Sequence, residues 1–268
     1  MAENGRVLVV KEKSLSTYNI EEIKDNLKNT FQNSPDLHFY ELKRKKSPLL
    51  FIYLKNLVDF QTLNTTILPA ILEFPEEEVL QLEEVIYKLP STQSILTSEI
   101  SEAINNLLEG HLLLFSPGAE KGILINIAKK VERGLEKAET ESLVFGPKIS
   151  FTESLYTNIS IIRQNILSED LCTEKLGVGN KNETEVRLVY LKEKADEEIV
   201  QSIKEKINSL DVDDILDTSV LAQLIEDNSY SIFPQYVQTE LPDRVTYSVE
   251  RGMVAVFVDR SPMVLLGP

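Results

Sequence analysis

The feature that most constrains the fold is a short pattern that occurs twice. The segment Tyr53–Asp59 begins Tyr-Leu-Lys and ends in Asp, and the same residues return in Tyr190–Asp196, 137 positions later. Gly110–Phe115 begins with Gly and ends in Phe, as does Gly252–Phe257, 142 positions later. The offset grows along the chain, as expected when insertions collect in surface connections. The sequence therefore predicts an internal duplication.

Apolar periodicity gives both halves the same order of elements. In the first half we predict strands at 6–10, 37–42, 49–54, 111–115 and 123–127, and helices at 14–30, 58–73, 76–87 and 94–108. In the second half we predict strands at 143–145, 186–191, 253–258 and 263–266, and helical segments at 152–167, 197–210, 212–216 and 220–226. The predicted fold class is therefore α/β, with two related lobes (1–138 and 142–268) and mixed sheets with flanking helices.

Composition excludes several classes of function. The chain has 43 acidic and 28 basic residues, a net charge of −15, which disfavours nucleic-acid binding because phosphate contacts require Lys or Arg. The charge is uneven, at −4 for residues 1–138 and −11 for the remainder. Cys172 is the single cysteine, so no intrachain disulfide can form and a thiolate metal cage is disfavoured. We predict neither a metal nor a cofactor.

The residues that could carry catalysis are few. His38 and His111 fall in predicted strands, at no metal-ligand spacing. Gly177–Lys181 is rich in glycine, but Asn180–Asn182 is predicted to be a hairpin loop rather than part of a nucleotide site. Asp211–Asp214 is predicted to be a solvated turn rather than a calcium loop, because it has no distal Glu. Lys43–Lys46 forms a basic tip that is either a solvated loop or a contact to an anionic membrane surface. We therefore predict that the protein is not an enzyme.

Two segments carry motifs that catalysis does not explain. They are Gly146–Asn158, which contains Phe-Thr-Glu-Ser-Leu, and Phe233–Arg244, which contains Phe-Pro-Gln and Thr-Glu-Leu-Pro-Asp-Arg. With the closing segment Val258–Pro262, they resemble the A-subunit family of GerA-type bacterial spore germinant receptors. Three positions depart from that family's usual pattern, and one of them is Phe145, which takes a place often held by Arg. Leu241 stands where the family usually has Arg, and Arg260 stands where it usually has Gly.

The resemblance implies a place and partners for the chain. It would be the hydrophilic N-terminal region of the A subunit, followed after residue 268 by a membrane domain. The chain stops on an apolar run, and from this too we expect the complete protein to be longer. The region would lie on the cytoplasmic, core side of the spore inner membrane. The integral B subunit and the lipoprotein C subunit would be its partners, and the family carries no enzymatic activity.

Two hypotheses follow from the resemblance. In the first, the domain docks to the other subunits and relays a signal for germination. In the second, it binds a small germinant (an amino acid, a sugar or an ion) in a cleft between the lobes. A free-standing enzyme is a weaker third alternative. The candidate binding or docking residues are polar residues of the motif segments and of the helix that follows the first: Lys148, Glu153, Asn158, Arg163, Glu240, Asp243, Arg244 and Asp259. We expect the two segments to meet around the second lobe, with their charges paired.

Overall fold

The structure is a computed structural model that describes residues 14–77, 79–89, 94–129, 150–215, 217–227 and 235–267. The predicted strands at 6–10 and 143–145 lie outside these residues. So does the predicted boundary between the lobes near 138–141, which stays a prediction. Within the described ranges, no helix is both long enough and apolar enough to cross a bilayer.

The N-terminal lobe has a five-stranded sheet with helices on both faces. Its strands are β1 (Leu37–Leu42), β2 (Leu49–Leu54), β3 (Ser94–Thr97), β4 (His111–Phe115) and β5 (Gly122–Asn126). Its helices are α1 (Ile20–Thr30), α2 (Phe60–Thr62), α3 (Leu68–Leu72), α4 (Leu82–Lys88) and α5 (Ile100–Leu108). A short 3-10 turn at Leu15–Thr17 comes before α1, and a π-helical turn at Leu63–Ile67 joins α2 to α3.

The C-terminal lobe is built in the same way. Its strands are β6 (Leu171–Val178), β7 (Thr184–Leu191), β8 (Val237–Thr239), β9 (Val254–Val258) and β10 (Val264–Gly267). Its helices are α6 (Leu155–Asn165), α7 (Glu197–Asn208), α8 (Thr218–Ile225) and α9 (Pro242–Glu250).

The two sheets share one topology. Their strand orders are β1-β2-β4-β5-β3 and β6-β7-β9-β10-β8, which is the same order when each lobe is numbered from its own first strand. The predicted α/β fold of two related lobes is confirmed. The sheets are antiparallel rather than mixed, in every strand pair that the described ranges contain. Two hairpins in each lobe account for the β1–β2, β4–β5, β6–β7 and β9–β10 pairs, because a short turn joins only antiparallel neighbours.

The repeated lysines occupy equivalent positions. The Lys55 amide donates a hydrogen bond to the carbonyl of Asp36 (2.7 Å), which closes the end of the β1–β2 hairpin. The Lys192 amide donates to the carbonyl of Asp170 (3.1 Å) at the same place in the β6–β7 hairpin. The repeated Tyr-Leu-Lys pattern therefore marks the same strand end in both lobes.

The repeated aspartates begin equivalent helices. The Asp59 carboxylate accepts a hydrogen bond from the Gln61 amide (2.9 Å), and the Asp196 carboxylate accepts one from the Glu198 amide (2.9 Å). Each is an N-cap, which supplies a partner to an amide that has none inside the helix. Each directs the chain from the first hairpin of its lobe onto the same face of its sheet.

Both faces of each sheet are buried, which explains why the central strands are apolar throughout. All six residues of β2 are buried. Because successive side chains point to opposite faces, Leu50 and Ile52 pack beneath α1 and α5, whereas Phe51 and Tyr53 pack beneath α2–α4. In the second lobe, β9 divides its side chains in the same way between the α6–α9 layer and the α7–α8 layer.

Candidate functional site at the junction of the lobes

Arg163 is a buried charge on α6. Ser154 caps this helix by accepting a hydrogen bond from the Thr157 amide (3.3 Å), and Ile159 and Ile162 pack into the core of the second lobe. The Arg163 side chain is 0% exposed. A buried guanidinium is strongly destabilising unless a carboxylate and hydrogen bonds compensate it. Its partner comes from the other lobe.

Asp36, which comes just before β1, is that partner. Arg163 Nε donates to Asp36 Oδ2 (2.8 Å) and Arg163 Nη2 donates to Asp36 Oδ1 (3.1 Å). The Asp36 side chain is 3% exposed. A two-point contact between guanidinium and carboxylate fixes orientation as well as distance. The pair therefore holds the start of the first sheet to the first helix of the second lobe.

Two hydroxyl groups complete this junction. Ser34 Oγ accepts from Arg163 Nη2 (2.8 Å) and donates to Asp36 Oδ1. Thr173 Oγ1, on β6, lies 2.8 Å from Ser34 Oγ. Arg163 Nη1 reaches the carbonyl of Ser168 (3.4 Å). The network thus alternates between residues of the two lobes.

Competing effects set the protonation of Asp36. Burial by itself would raise the pKa of this carboxyl group. The charge of Arg163 and the hydrogen bonds from Ser34 and Arg163 outweigh burial, so the pKa lies below its ordinary value. The junction is therefore an ion pair at neutral pH.

Each lobe presents an aspartate to the junction from an equivalent turn. In the first lobe the turn is Ser34-Pro35-Asp36, closed by a hydrogen bond from the Leu37 amide to the Ser34 carbonyl (3.1 Å). In the second lobe it is Ser168-Glu169-Asp170, closed by the corresponding bond from the Leu171 amide to the Ser168 carbonyl (3.4 Å). Asp170 accepts a hydrogen bond from Gln32 Nε2 of the first lobe (3.5 Å).

Other contacts cross the junction around the ion pair. Ser160, which is 2% exposed, donates from Oγ to the carbonyl of Asn56 (2.7 Å). Closer to the surface, Lys192 Nζ donates to Gln32 Oε1 (2.6 Å), and the ammonium of Lys55 lies 5.7 Å from the centre of the Tyr156 ring. The junction thus combines buried hydrogen bonds with contacts at its exposed edge.

Two surface pockets flank the ion pair where the lobes meet. One has a volume of about 290 Å³ and is lined by residues of both lobes: Lys55, Asn56, Val58, Asp59, Phe60, Gln61, Lys129, Tyr156 and Ser160. The other, of about 350 Å³, is lined by Gln32–Pro35 and Thr173–Lys175. The first pocket offers two ammonium groups, one carboxylate, two amides, a serine hydroxyl group and two aromatic rings to a small molecule.

The two motif segments meet, as expected. The Phe151 amide donates to the Glu240 carbonyl (2.9 Å), and Phe151 packs against Phe257 with ring centres 5.4 Å apart. Glu240 itself is buried. The predicted residues Asp243 and Arg244 are exposed in the first turn of α9. Lys148 lies outside the described residues.

Asn158 and Glu153 support the turn before α6. Asn158 Nδ2 donates to the Thr152 carbonyl (2.7 Å), and Asn158 Oδ1 accepts from the Thr152 amide (2.9 Å). The carbonyl of Glu153 accepts from the amide of Arg260 (3.0 Å). Asp259 lies half-buried beside it in the β9–β10 turn. Asn158 and Glu153 therefore stabilise the structure of the second lobe.

Arg163 was predicted to pair within the motif segments, and its partner is Asp36 instead. Ser34, Asp36 and Thr173 are not among the site residues predicted from the sequence. A signal for the first two exists, because the Ser-x-Asp turn recurs as Ser168–Asp170, 134 residues after Ser34. No comparable signal marks Thr173.

The basic tip is only partly free to meet a membrane. Arg44 is 9% exposed and its Nη2 donates to the carbonyls of Phe74 and Pro75 (3.3 and 2.5 Å). Lys45 forms an ion pair with Glu77. Half of the four cations are therefore engaged with the same lobe, which reduces the charge available to a lipid surface.

The described ranges contain no group of three His, Cys, Asp or Glu residues placed to hold a metal ion. Cys172 is buried in the second lobe, and burial is the main cause that raises the pKa of its thiol. A thiol with a raised pKa is a poor nucleophile at neutral pH.

Comparison with known proteins gives a consistent result. Residues 25–268 match the model of the family described as Bacillus/Clostridium GerA spore germination protein. The chain is 33% identical over 218 residues to spore germination protein A1 of Bacillus subtilis, covering 81% of this chain and 45% of that protein. It is 30% identical over 244 residues to spore germination protein GerQA of Bacillus cereus, covering 91% and 48%. It thus spans about half the length of these relatives.

A solved structure shares the fold. It is the crystal structure of the N-terminal domain of the A subunit of the Bacillus megaterium spore germinant receptor GerK3. The TM-score is 0.74 at 24% sequence identity, over 96% of this chain and 97% of that one.

Proposed function

The chain belongs to the GerA family of Bacillus/Clostridium spore germination proteins, and we propose that it is the non-enzymatic N-terminal domain of a germinant-receptor A subunit. In this proposal it docks to the receptor's other subunits and relays the nutrient signal. Its partners are the integral B subunit and the lipoprotein C subunit. A membrane domain after residue 268 anchors it at the core side of the spore inner membrane.

The buried Asp36–Arg163 pair supports the relay role. It joins the two lobes through two parallel hydrogen bonds with a fixed orientation, and single hydrogen bonds surround it. A force applied to one lobe is therefore transmitted to the other while the pair holds. An exposed pair would not do this, because surface ion pairs contribute only about 0–1 kcal/mol.

Spores carrying Asp36→Asn in the receptor test this role. The substitution keeps the shape of the side chain and removes its charge. We expect slower germination at equal receptor content, which is measured by immunoblot of the inner membrane and used to normalise the rate. The matched control is Glu41→Gln, which removes one of the two carboxylate partners of Lys24 at the surface of the same lobe. Germination at the wild-type rate with Asp36→Asn would overturn the relay role.

A second candidate function is direct binding of a germinant between the lobes. The pocket of about 290 Å³ supports it, because Lys55 and Asp59 offer opposite charges to an amino acid, a sugar or an ion. A thermal-shift panel of these three classes would test it, since a ligand that binds the folded state raises the Tm. A shift that Lys55→Gln abolishes favours germinant binding. No shift with any class removes this candidate and leaves the relay role standing.

A further inference from the structure

The net charge of the chain is concentrated in one helical layer of each lobe. Residues 59–88, which contain α2–α4, hold seven acidic residues and one lysine. Residues 193–227, which contain α7 and α8, hold eleven acidic residues and three lysines. These layers follow the β1–β2 and β6–β7 hairpins at equivalent places. They carry net charges of −6 and −8, which together are −14 of the chain's total of −15. The rest of the molecule is nearly neutral.

In the α7–α8 layer the carboxylates face solvent. Nine of the eleven acidic residues are exposed: Glu193, Asp196, Glu197, Glu198, Glu205, Asp211, Asp213, Asp217 and Asp227. The three lysines do little to neutralise them. Lys194 donates to the carbonyl of Glu250, Lys204 pairs with Glu174 on β6, and Lys206 pairs with Asp227. The layer therefore attracts cations.

An apolar strip lies within this acidic surface. Val220 and Leu224 are 36% and 40% exposed and stand four residues apart on α8, so they lie on one face of the helix. Asp217 caps the start of α8 by accepting from the Ser219 and Val220 amides (2.7 and 3.1 Å). Glu226 follows its end. The strip thus has carboxylates at both ends.

The corresponding layer of the first lobe is less suited to docking. Its exposed apolar residues Leu72, Val79 and Tyr87 belong to three separate segments rather than to one helix face. Partial neutralisation does not separate the two layers, because the Lys45–Glu77 pair in the first lobe has a counterpart in the Lys181–Asp213 pair of the second. The duplicated layers have therefore diverged, and the second lobe has the continuous combination of charge and apolar surface.

We propose that the exposed face of α8, with the carboxylates around it, is a docking surface for a basic amphipathic helix of a partner protein. This inference rests on the docking role proposed above and specifies where docking occurs and with what chemistry. The partner segment carries apolar residues that cover Val220 and Leu224, and Lys or Arg residues that meet the carboxylates. Charge complementarity of this kind speeds association and selects the partner.

The same charge disfavours other occupants. An anionic bilayer and a second copy of this acidic face are both repelled by a layer of net charge −8. A small inorganic cation would gain nothing from Val220 and Leu224. A basic protein segment is the partner that uses both the charge and the apolar strip.

A labelled Lys/Leu peptide with leucines at helical spacing is the probe, and a scrambled peptide of the same composition is its control. We expect the helical peptide to bind this chain more tightly than the scrambled one, and more weakly at high salt. Val220→Ser combined with Leu224→Ser should weaken binding at least five-fold, and Glu226→Gln should weaken it further. The matched controls Leu167→Ser and Glu109→Gln, exposed residues outside the layer, should leave binding unchanged.

Equal binding of the helical and scrambled peptides, or no effect of the Val220 and Leu224 substitutions, would overturn the inference. Spores separate this failure from failure of the proposed function. If Asp36→Asn slows germination but the α8 substitutions change neither germination nor receptor content, the relay stands and the docking surface is wrong. If neither set has an effect, the proposed function fails as well.

Discussion

Gly110 and Gly252 occupy the same position in the two lobes, and each lies against the turn that follows the first hairpin of its lobe, β1–β2 or β6–β7. Both have positive φ values, +86° and +92°. A Cβ atom on Gly110 would lie 2.9 Å from the carbonyl oxygen of Leu57, and one on Gly252 would lie 2.5 Å from that of Lys194. The duplication thus preserves a close approach between backbones as well as a strand order.

Gly110→Ala and Gly252→Ala should each destabilise the fold. The left-handed conformation costs a residue with a Cβ about 1–3 kcal/mol, and overpacking against a carbonyl oxygen adds to it. Gly118→Ala is the control, because φ is also positive there (+78°) but nothing lies within 4 Å of a Cβ. Urea unfolding should show larger losses for the first two variants than for the control. Equal losses at all three positions would mean that the close approaches have no energetic role.

Breaking the ion pair between the lobes should cost more than breaking an exposed one. We expect Asp36→Asn and Arg163→Met to lower the free energy of unfolding by about 3–5 kcal/mol each, because each leaves a buried polar or charged group without its partner. Glu77→Gln, which breaks the exposed pair with Lys45, should cost about 0–1 kcal/mol. The double variant Asp36→Leu/Arg163→Met should lose less than the sum of its singles, since no buried charge is left uncompensated.

The pair should also make stability depend on pH in the acid range. In the unfolded chain Asp36 titrates near its ordinary pKa of 3.8, whereas in the folded protein its pKa is lower. Its stabilising effect is therefore complete above the unfolded pKa and is lost as the pH falls through the folded pKa. Urea unfolding from pH 7 to pH 3 should show a wild-type advantage over Asp36→Asn that shrinks below about pH 4. An advantage that does not change with pH would contradict this assignment.

Sequence patterns predicted the lobes because the repeated residues perform local tasks. Asp59 and Asp196 cap helices, and Lys55 and Lys192 close hairpins, so short-range chemistry fixes each pattern. Strand β6 (Leu171–Val178) was not predicted. It is an edge strand with exposed Lys175 and Gly177, and its identity comes from pairing with β7 rather than from its own apolar periodicity.

Long-range relationships were harder to predict. Asp36 and Arg163 are 127 residues apart, and neither stands in a pattern that names the other. The predicted helix over 94–108 also begins too early, because Ser94–Thr97 pairs with β5 as strand β3 and the helix starts at Ile100. In both cases the structure depends on a residue or a strand that is distant in the chain. A single sequence does not show which residue or strand that is.

Arg260 offers a test of the family pattern at a position where this chain departs from it. The residue has a φ of +66°, a conformation that glycine adopts without strain, and glycine is the family's usual residue here. Its side chain is exposed, and Nη2 donates to Thr184 Oγ1 (3.1 Å). That bond offsets part of the strain, which is about 1–2 kcal/mol for a residue with a Cβ.

Arg260→Gly should therefore unfold at the wild-type temperature or above it, whereas Arg260→Val, which is β-branched and lacks the bond, should unfold below it. Thermal unfolding followed by circular dichroism measures both variants. A lower Tm for Arg260→Gly would show that the bond to Thr184, rather than the backbone conformation, dominates at this turn.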